Sequence, residues 1–419
     1  MQIVTNKNLN STMRKVNEKL VIAVTGCTGT GKTKLGIELA KRYNGEVVSA
    51  DSMQIYKGLD VITNKVTTKE AEGVVHHCVD YVPADEQYTV NKYLQHTLPI
   101  IEDIIKRGKH PIIVGGTAYY IEALLWNFTL SSSECAKEDI SDTNLQILNC
   151  SKLNDYEKLQ QIDPQTAIRL HPSDSRKIER SLDIYRQSGT CQSKLLEEQH
   201  DGSDNIRGKL RWDRALLFSM ECCQETLDKR LDDRVDKMVE LGLCHELLEA
   251  SNSGDCSGLL MQAIGYKEFE KYISLKQNGC VESDDLSNAL SEGLEKMKTT
   301  TRRYSRKQLR WIKHRLAQDM ENYHFNRLDT TFPEKWALDI SEPAFAITDK
   351  FLSGKLETNC ETSKRPVKVS QICEVCDVTC IGDVSFTAHM TSKKHKKRKA
   401  YLKQKPLYEK CISDKNILS

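Results

Sequence analysis

Apolar residues run unbroken from Leu20 to Thr25 (LVIAVT), a β-branched stretch with the length of a buried strand. A glycine-rich turn follows at Gly26–Gly31. Leu35, Leu39 and Ala40 then recur at helical spacing, which predicts a helix from about Lys32 to Tyr43 with Gly45 just past its end. Glu46–Ser49 reads as a second strand leading into Asp51. Tyr93, Leu94, Leu98, Ile101, Ile104 and Ile105 mark the apolar side of a helix over Asn91–Arg107, stopped by Gly108. Pro111–Val114 is a third buried strand, ending at Gly115-Gly116. Strands alternating with helices predict an α/β fold, a parallel sheet with helices on both faces.

The rhythm changes near Trp126. Residues 129–150 are polar and patternless, and 151–190 read as helices with charged faces. A further apolar strand at Ala215–Met220 predicts that the chain returns to the sheet. Long helices are expected over roughly 224–250 and 286–318. The expected organisation is a leader (1–19), a first part of the α/β core (20–127) and a helical insertion (128–205). The second part of the core (206–352), a linker (353–370), a small Cys/His module (371–400) and a tail (401–419) follow. The chain shows no internal repeats.

With 419 residues, two or three domains are expected. The 61 basic and 59 acidic residues nearly cancel, so any nucleic-acid surface must come from local clustering. No apolar run approaches the length of a membrane span. The 15 cysteines are odd in number and follow no secretory signal, which reads as reduced intracellular thiols. Residues 1–17 carry Lys7, Arg14 and Lys15 and no acid, the pattern of a polar leader or a mitochondrial transit segment, and Met13 offers a second start. Cytoplasm, mitochondrion or nucleus are the expected locations, and a monomer is the default state.

Gly26-Cys27-Thr28-Gly29-Thr30-Gly31-Lys32-Thr33 matches the phosphate-loop pattern between a buried strand and a helix. Successive backbone N–H groups there face phosphate oxygens, Lys32 adds positive charge, and the Thr33 hydroxyl can ligate Mg²⁺. The loop specifies a phosphate-bearing ligand, not a reaction, and a nucleotide kinase is the plain expectation. A kinase would also carry an acid at the end of a later apolar strand, whereas Pro111–Val114 ends in Gly115-Gly116-Thr117. On residue types alone, Asp51 fits a Mg²⁺ ligand or a loop cap as well as a general base. Arg234 alone fits an exposed helix arginine.

Behind the phosphate loop stand Ser49-Ala50-Asp51-Ser52-Met53-Gln54-Ile55-Tyr56, then Gly115-Gly116-Thr117 with Tyr119 and Tyr120, and Asp163-Pro164 with His171-Pro172 and Asp174. Arg230–Val235, Gln262–Glu268 and Thr301-Arg302-Arg303-Tyr304 follow in that order. This series, over about residues 20–315, resembles the tRNA dimethylallyltransferase (isopentenyltransferase) family. The resemblance implies transfer of a dimethylallyl group from dimethylallyl diphosphate to N6 of adenosine 37 in the tRNA anticodon loop, releasing diphosphate. The loop would then hold a leaving group.

By the same resemblance, Asp51 is the general base and Thr28 contacts the bridging oxygen. Arg234 clamps the diphosphate beside Gly26–Thr33. Ser52, Met53 and Gln54 line the flipped base, and Thr117 contacts tRNA. Arg176, Lys177 and Arg180 fall on the tRNA-contacting segment of the insertion. Arg176-Lys177 stands where bacterial members carry Gln-Arg, so phosphate contact is the reading kept there. Residues 296–315 hold nine Lys/Arg and no acid, including Arg302 and Arg303, with Tyr304 and Trp311 interleaved. That predicts a broad positive surface for RNA backbone.

Cys373-x2-Cys376-x12-His389-x5-His395 has the spacing of a structural Zn²⁺ finger with no open ligand position. Phe386 is its expected core, and Cys380 has no assigned role. The finger resembles matrin or U1-type RNA-binding fingers and the eukaryotic branch of the family. Lys393 to Lys399 add a basic run; protein docking or nuclear targeting are its alternatives. Two other enzyme readings stay open, an adenylate isopentenyltransferase making cytokinins and a P-loop nucleotide kinase fused to the finger. A non-catalytic RNA-binding protein is a third. The long insertion, basic helix and finger are not needed by the first of these.

Overall fold

A computed structural model describes residues 19–126, 140–200, 210–252, 263–279, 283–316, 324–356, 370–376, 378–381 and 383–400. The expected leader, the tail, Gln262 and most of the linker lie outside the described residues. The chain divides into two compact units, residues 1–127 with 209–362 and residues 128–208 with 363–419.

The first unit is built on six parallel strands in the order β3-β2-β4-β1-β5-β6. They are β1 (Leu20–Gly26), β2 (Gly45–Ser49), β3 (His76–His77), β4 (His110–Gly115), β5 (Arg214–Glu221) and β6 (Phe325–Asp329). Consecutive side chains point to opposite faces. Ile22, Val24, Ile112, Val114, Leu216 and Phe218 share one core with Leu35 and Leu39 of helix α1 (Lys32–Arg42). Their neighbours Val21, Ala23, Ile113 and Leu217 are equally buried. Helix α2 (Val90–Lys106) packs on β4, and α3 (Ala118–Leu125) on β1 and β4. Burial on both faces is why these strands read as continuous apolar runs.

The strand expected at Ala215–Met220 does return to the sheet, pairing in parallel with β1 from Leu20↔Arg214 to Gly26↔Met220. The edge strands β3 and β6 were not expected. The helix expected over 224–250 is two, α4 (Gln224–Glu240) and a second over Leu243–Asn252, broken at Leu241-Gly242. The helix expected over 286–318 is α5 (Asp284–Trp311), followed by one wide turn at Ile312–Leu316. Ser283 caps α5 by accepting from the Leu286 N–H, and Asp284 and Asp285 complement its dipole. Residues Leu286, Ala289, Gly293, Met297, Thr301, Ser305 and Gln308 form its buried stripe. A last helix, α6 (Glu342–Leu352), buries Ala344 and Phe351 against the sheet core. Among the described residues, no helix is long and apolar enough to cross a membrane.

In the second unit, Leu148, Leu159, Ile162, Ile178, Leu182 and Tyr185 make a small core of their own. Part of the stretch that reads as patternless is ordered: Ser141 caps a helix over Asp142–Asn149. Asp163 is 2% exposed and accepts from the Thr166 N–H, the Thr166 hydroxyl and the Ser193 N–H. The Asp163-Pro164 pair is therefore a structural cap. The finger strands β7 (Ser370–Cys373) and β8 (Val378–Ile381) pair antiparallel, and the Ser370 N–H donates to the Ile168 carbonyl at 2.8 Å.

Candidate active site

The C-terminal ends of β1, β2 and β4 open into one cavity of about 760 Å³. Thr28, Gly29, Gly31, Lys32 and Thr33 of the phosphate loop line it, with Asp51, Ser52, Met53, Gln54, Arg234, Tyr304 and Gln308. Ligands of parallel α/β sheets bind at this end of the strands. Gly26, Cys27 and Thr30 lie behind the lining. The Cys27 thiol donates to the Ser305 carbonyl at 3.3 Å, and burial pushes its pKa up. The Thr30 hydroxyl donates to the Cys27 carbonyl at 2.8 Å.

Gly31 caps α1 with φ +84°, and a Cβ built there would lie 2.7 Å from the Trp336 ring. Glycine is required on both counts. Trp336 is held in turn by Glu38, which accepts from its indole N–H at 2.9 Å and from the Ser341 hydroxyl at 2.6 Å. The Lys34 ammonium lies 4.3 Å over the indole. Sequence reading gave Trp336 no role, because it comes some 300 positions after the loop it braces.

Lys32 donates to the Cys27 carbonyl at 2.7 Å. Burial lowers its pKa to about 8, opposed by Asp51 and assisted by Arg234. Arg234 reaches from α4 and donates to the Thr28 hydroxyl at 2.6 Å. It is thus a half-buried site residue, not an exposed helix arginine. Lys32 and Arg234 both reach the phosphate loop, and this pair of cations favours an anionic ligand there.

Asp51 follows β2. Its Oδ1 accepts from the Met53 N–H at 3.0 Å, which fixes the turn. The Thr117 hydroxyl accepts from the Ser52 N–H at 2.9 Å and donates to the Ser52 hydroxyl at 3.1 Å. Gln54 donates to the carbonyls of Thr63 and Asn64. Tyr93, fully buried and stacked on Tyr120 at 3.9 Å, donates to the Ser49 carbonyl at the end of β2. Ile62, Val235, Met238, Ile264 and Met297, which pack in one apolar cluster, also line the cavity. The cavity thus joins the phosphate loop to an apolar wall.

The basic helix is less exposed in charge than its sequence predicts. Asp228, Asp232 and Asp236, one per turn of α4, pair with Arg306, Arg302 and Lys298 of α5. Lys296 pairs with Glu292 at 2.7 Å. The broad positive surface is therefore narrower than expected. Arg302 is half-buried in this ladder, while Arg303, Lys307 and Arg310 are exposed. Partners on a separate helix are invisible to a scan of one segment.

In the second unit, Arg176, Lys177 and Arg180 are exposed on the helix Ser175–Ser188, opposite buried Ile178, Leu182 and Tyr185. Lys177 pairs with Asp174 at 2.5 Å.

The four finger residues Cys373, Cys376, His389 and His395 present ligand atoms all within 4.8 Å of one another. His395 Nδ1 lies 3.4 Å from Cys373 Sγ, 3.5 Å from Cys376 Sγ and 3.3 Å from His389 Nε2. Edges of this length suit a tetrahedron around Zn²⁺ with bonds of about 2.0–2.3 Å. The helix Asp383–Thr391 breaks at Ser392 before it resumes. Six positions on an unbroken helix would turn His395 away from His389, and the break restores the convergence. Phe386 is half-buried, and Cys380 is 5% exposed, a core residue of the finger.

The chain matches the family model described as IPP transferase over residues 54–315, that of isopentenyl transferase over 19–87, and that of a C2H2-type zinc finger over 372–395. It is 36% identical over 400 residues to the tRNA dimethylallyltransferase of Homo sapiens, covering 90% of this chain and 85% of that protein. It is 33% identical over 408 residues to that of Saccharomyces cerevisiae, covering 90% and 91%. A solved eukaryotic dimethylallyltransferase acting on tRNA superposes with a TM-score of 0.78 at 32% identity, over 94% of this chain and 99% of that one. This chain therefore belongs to the tRNA dimethylallyltransferase family.

Proposed function

We propose that this protein transfers the dimethylallyl group of dimethylallyl diphosphate to N6 of adenosine 37 in the tRNA anticodon loop. The observation that carries this reading is one cavity lined by a phosphate loop, an apolar wall and a carboxylate that is not on the loop. The diphosphate sits on the Gly26–Thr33 loop, and the five-carbon chain faces the apolar wall. Thr28 already accepts a hydrogen bond from Arg234, so its own proton is left to donate to the bridging oxygen as charge develops there. Lys32 and Arg234 hold the departing charge.

The target base leaves the loop stack and enters beside Ser52, Met53 and Gln54. The N6 lone pair attacks C1 of the prenyl group and forms the C–N bond. The C1–O bond breaks, and its electrons leave with diphosphate. Asp51 takes the N6 proton; a base so placed contributes about 10²–10⁴-fold. Met53 holds one carboxylate oxygen, which aims the other.

Thr33 lines the cavity, and its hydroxyl would hold Mg²⁺, an ion that needs few protein ligands. When bound it would neutralise phosphate charge. Arg303, Lys307 and Arg310 suit RNA phosphates, as do Arg176, Lys177 and Arg180 on the second unit. The zinc finger adds a further RNA surface through Lys393, Lys394 and Lys396–Lys399.

The test is transfer from labelled dimethylallyl diphosphate with Mg²⁺ to unmodified tRNA or to AMP. Label in tRNA supports the proposal. Label in AMP alone favours the cytokinin route, and ATP hydrolysis without label favours a kinase.

A further inference from the structure

Gln308 is 7% exposed, and both ends of its amide are used. Its Oε1 accepts from the Thr28 N–H at 2.9 Å, and its Nε2 donates to the Gly116 carbonyl at 3.0 Å. The β1–β4 ladder ends at Thr25↔Gly115. Beyond that pair the two loops carry different halves of the site, and the Gln308 amide ties them together. Thr28 holds Arg234 on one side. On the other, Thr117 donates its N–H to Ala50 and holds Ser52, so it grips both neighbours of Asp51. The fit is tight: a Cβ at Gly116 would lie 2.4 Å from Gln308 Nε2. Helix α5, which carries Gln308, is locked by its acid ladder to α4, which carries Arg234.

We propose that Gln308 is a positioning residue that sets the distance between the leaving-group donors at Thr28 and the base-activating segment at Asp51–Ser52. This rests on reading the site as a prenyl-transfer site. A displacement needs its reacting atoms about 3–3.5 Å apart, and a shift of about 1 Å costs on the order of 10²-fold. An amide suits the task because it offers an acceptor to one loop and a donor to the other at fixed separation. An ionised carboxylate would present an acceptor to the Gly116 carbonyl and push the loops apart. A protonated one restores both bonds.

The experiment therefore compares Gln308→Glu and Gln308→Leu with the wild type in single-turnover transfer to tRNA, from about pH 8.5 to 6. Burial raises a carboxyl pKa, up to about 8–9 in documented sites. Tyr304 on α5 contacts Gln308, Cys27 on the loop lies against its neighbour Leu309, and Lys32, Asp51 after β2 and Arg234 on α4 line the same cavity. Both variants should lose on the order of 10²-fold in rate near pH 8.5 while KM for both substrates holds. The ratio of Gln308→Glu to wild type should then climb as pH falls, and that of Gln308→Leu should not. Thermal melting at each pH confirms that the compared proteins are folded. A flat ratio for Gln308→Glu, a loss confined to KM, or full activity of Gln308→Leu overturns the inference. A wild type that transfers nothing to tRNA overturns the prenyl-transfer reading itself, and this inference with it.

Discussion

Arg234 and Thr28 stand 206 positions apart in the chain, yet the guanidinium donates to the hydroxyl at 2.6 Å. That bond decides what the hydroxyl can do, because an oxygen already accepting from a cation has its proton free for the ligand. Thr28→Val should lower single-turnover transfer by about 10²–10³-fold, the usual cost of one lost donor to a developing oxyanion. Thr28→Ser should keep most of the rate, and tRNA affinity should hold in both.

Asp51 is anchored by the Met53 N–H and lines the same cavity as Arg234. Asp51→Ala should bind tRNA as the wild type does and lose transfer by about 10²–10⁴-fold. Filter binding and rapid-quench transfer on the same preparation check both halves. Wild-type turnover by this variant would remove the base assignment.

Burial lowers the Lys32 pKa to about 8, against about 10.4 in an unfolded chain. The unfolded chain thus holds this proton more tightly, and charged Lys32 opposes folding. That penalty is complete below about pH 8 and fades as pH rises toward about 10.4. Lys32→Met should therefore melt higher than the wild type near neutrality while losing diphosphate binding, and the gain should shrink at alkaline pH. Diphosphate favours the charged lysine, so wild-type affinity should fall above about pH 8 by up to about tenfold per pH unit. Calorimetry with inorganic diphosphate reads this directly.

Gly31 and Trp336 test the brace on the loop. Gly31→Ala meets both a positive φ and the indole 2.7 Å away, and should lower stability by roughly 2–4 kcal/mol. Adding Trp336→Ala removes the steric part and leaves the backbone part of about 1–2 kcal/mol. The double-mutant cycle should therefore show a favourable coupling. Additive losses in chemical denaturation would contradict the contact.

Zinc removal should separate the role of the finger from the chemistry. Chelation, or Cys373→Ser, should unfold the finger, weaken tRNA binding and leave transfer at saturating tRNA nearly intact. A loss of rate at saturation would place the finger in the chemistry.

The β1–loop–α1 unit was legible because period, glycine turn and helix signal coincide between Leu20 and Arg42. β5 was legible as an unbroken apolar run. β6 (Phe325–Asp329) was not, because a half-buried edge strand with Asn326 and Arg327 carries no such run. The break at Gly242 hid inside an otherwise continuous helical period. Of the site, Thr28 and Lys32 were singled out by the phosphate-loop pattern and Asp51 and Arg234 only by the family resemblance, and the structure brings all four to one cavity. Gln308 and Trp336 were missed, since their roles exist only across distant contacts. The acid ladder on α4 was missed for the same reason. The finger was read from spacing alone, but the helix break at Ser392 that makes the x5 spacing work was not.

The most direct test is a structure of the protein with an anticodon stem-loop and a non-reactive thio analogue of dimethylallyl diphosphate. The account predicts diphosphate oxygens on the loop amides from Gly29 to Thr33, the bridging atom against the Thr28 hydroxyl, and an extruded adenine with N6 within about 3 Å of Asp51. Diphosphate bound elsewhere, or an adenine whose N6 does not reach Asp51, would contradict it.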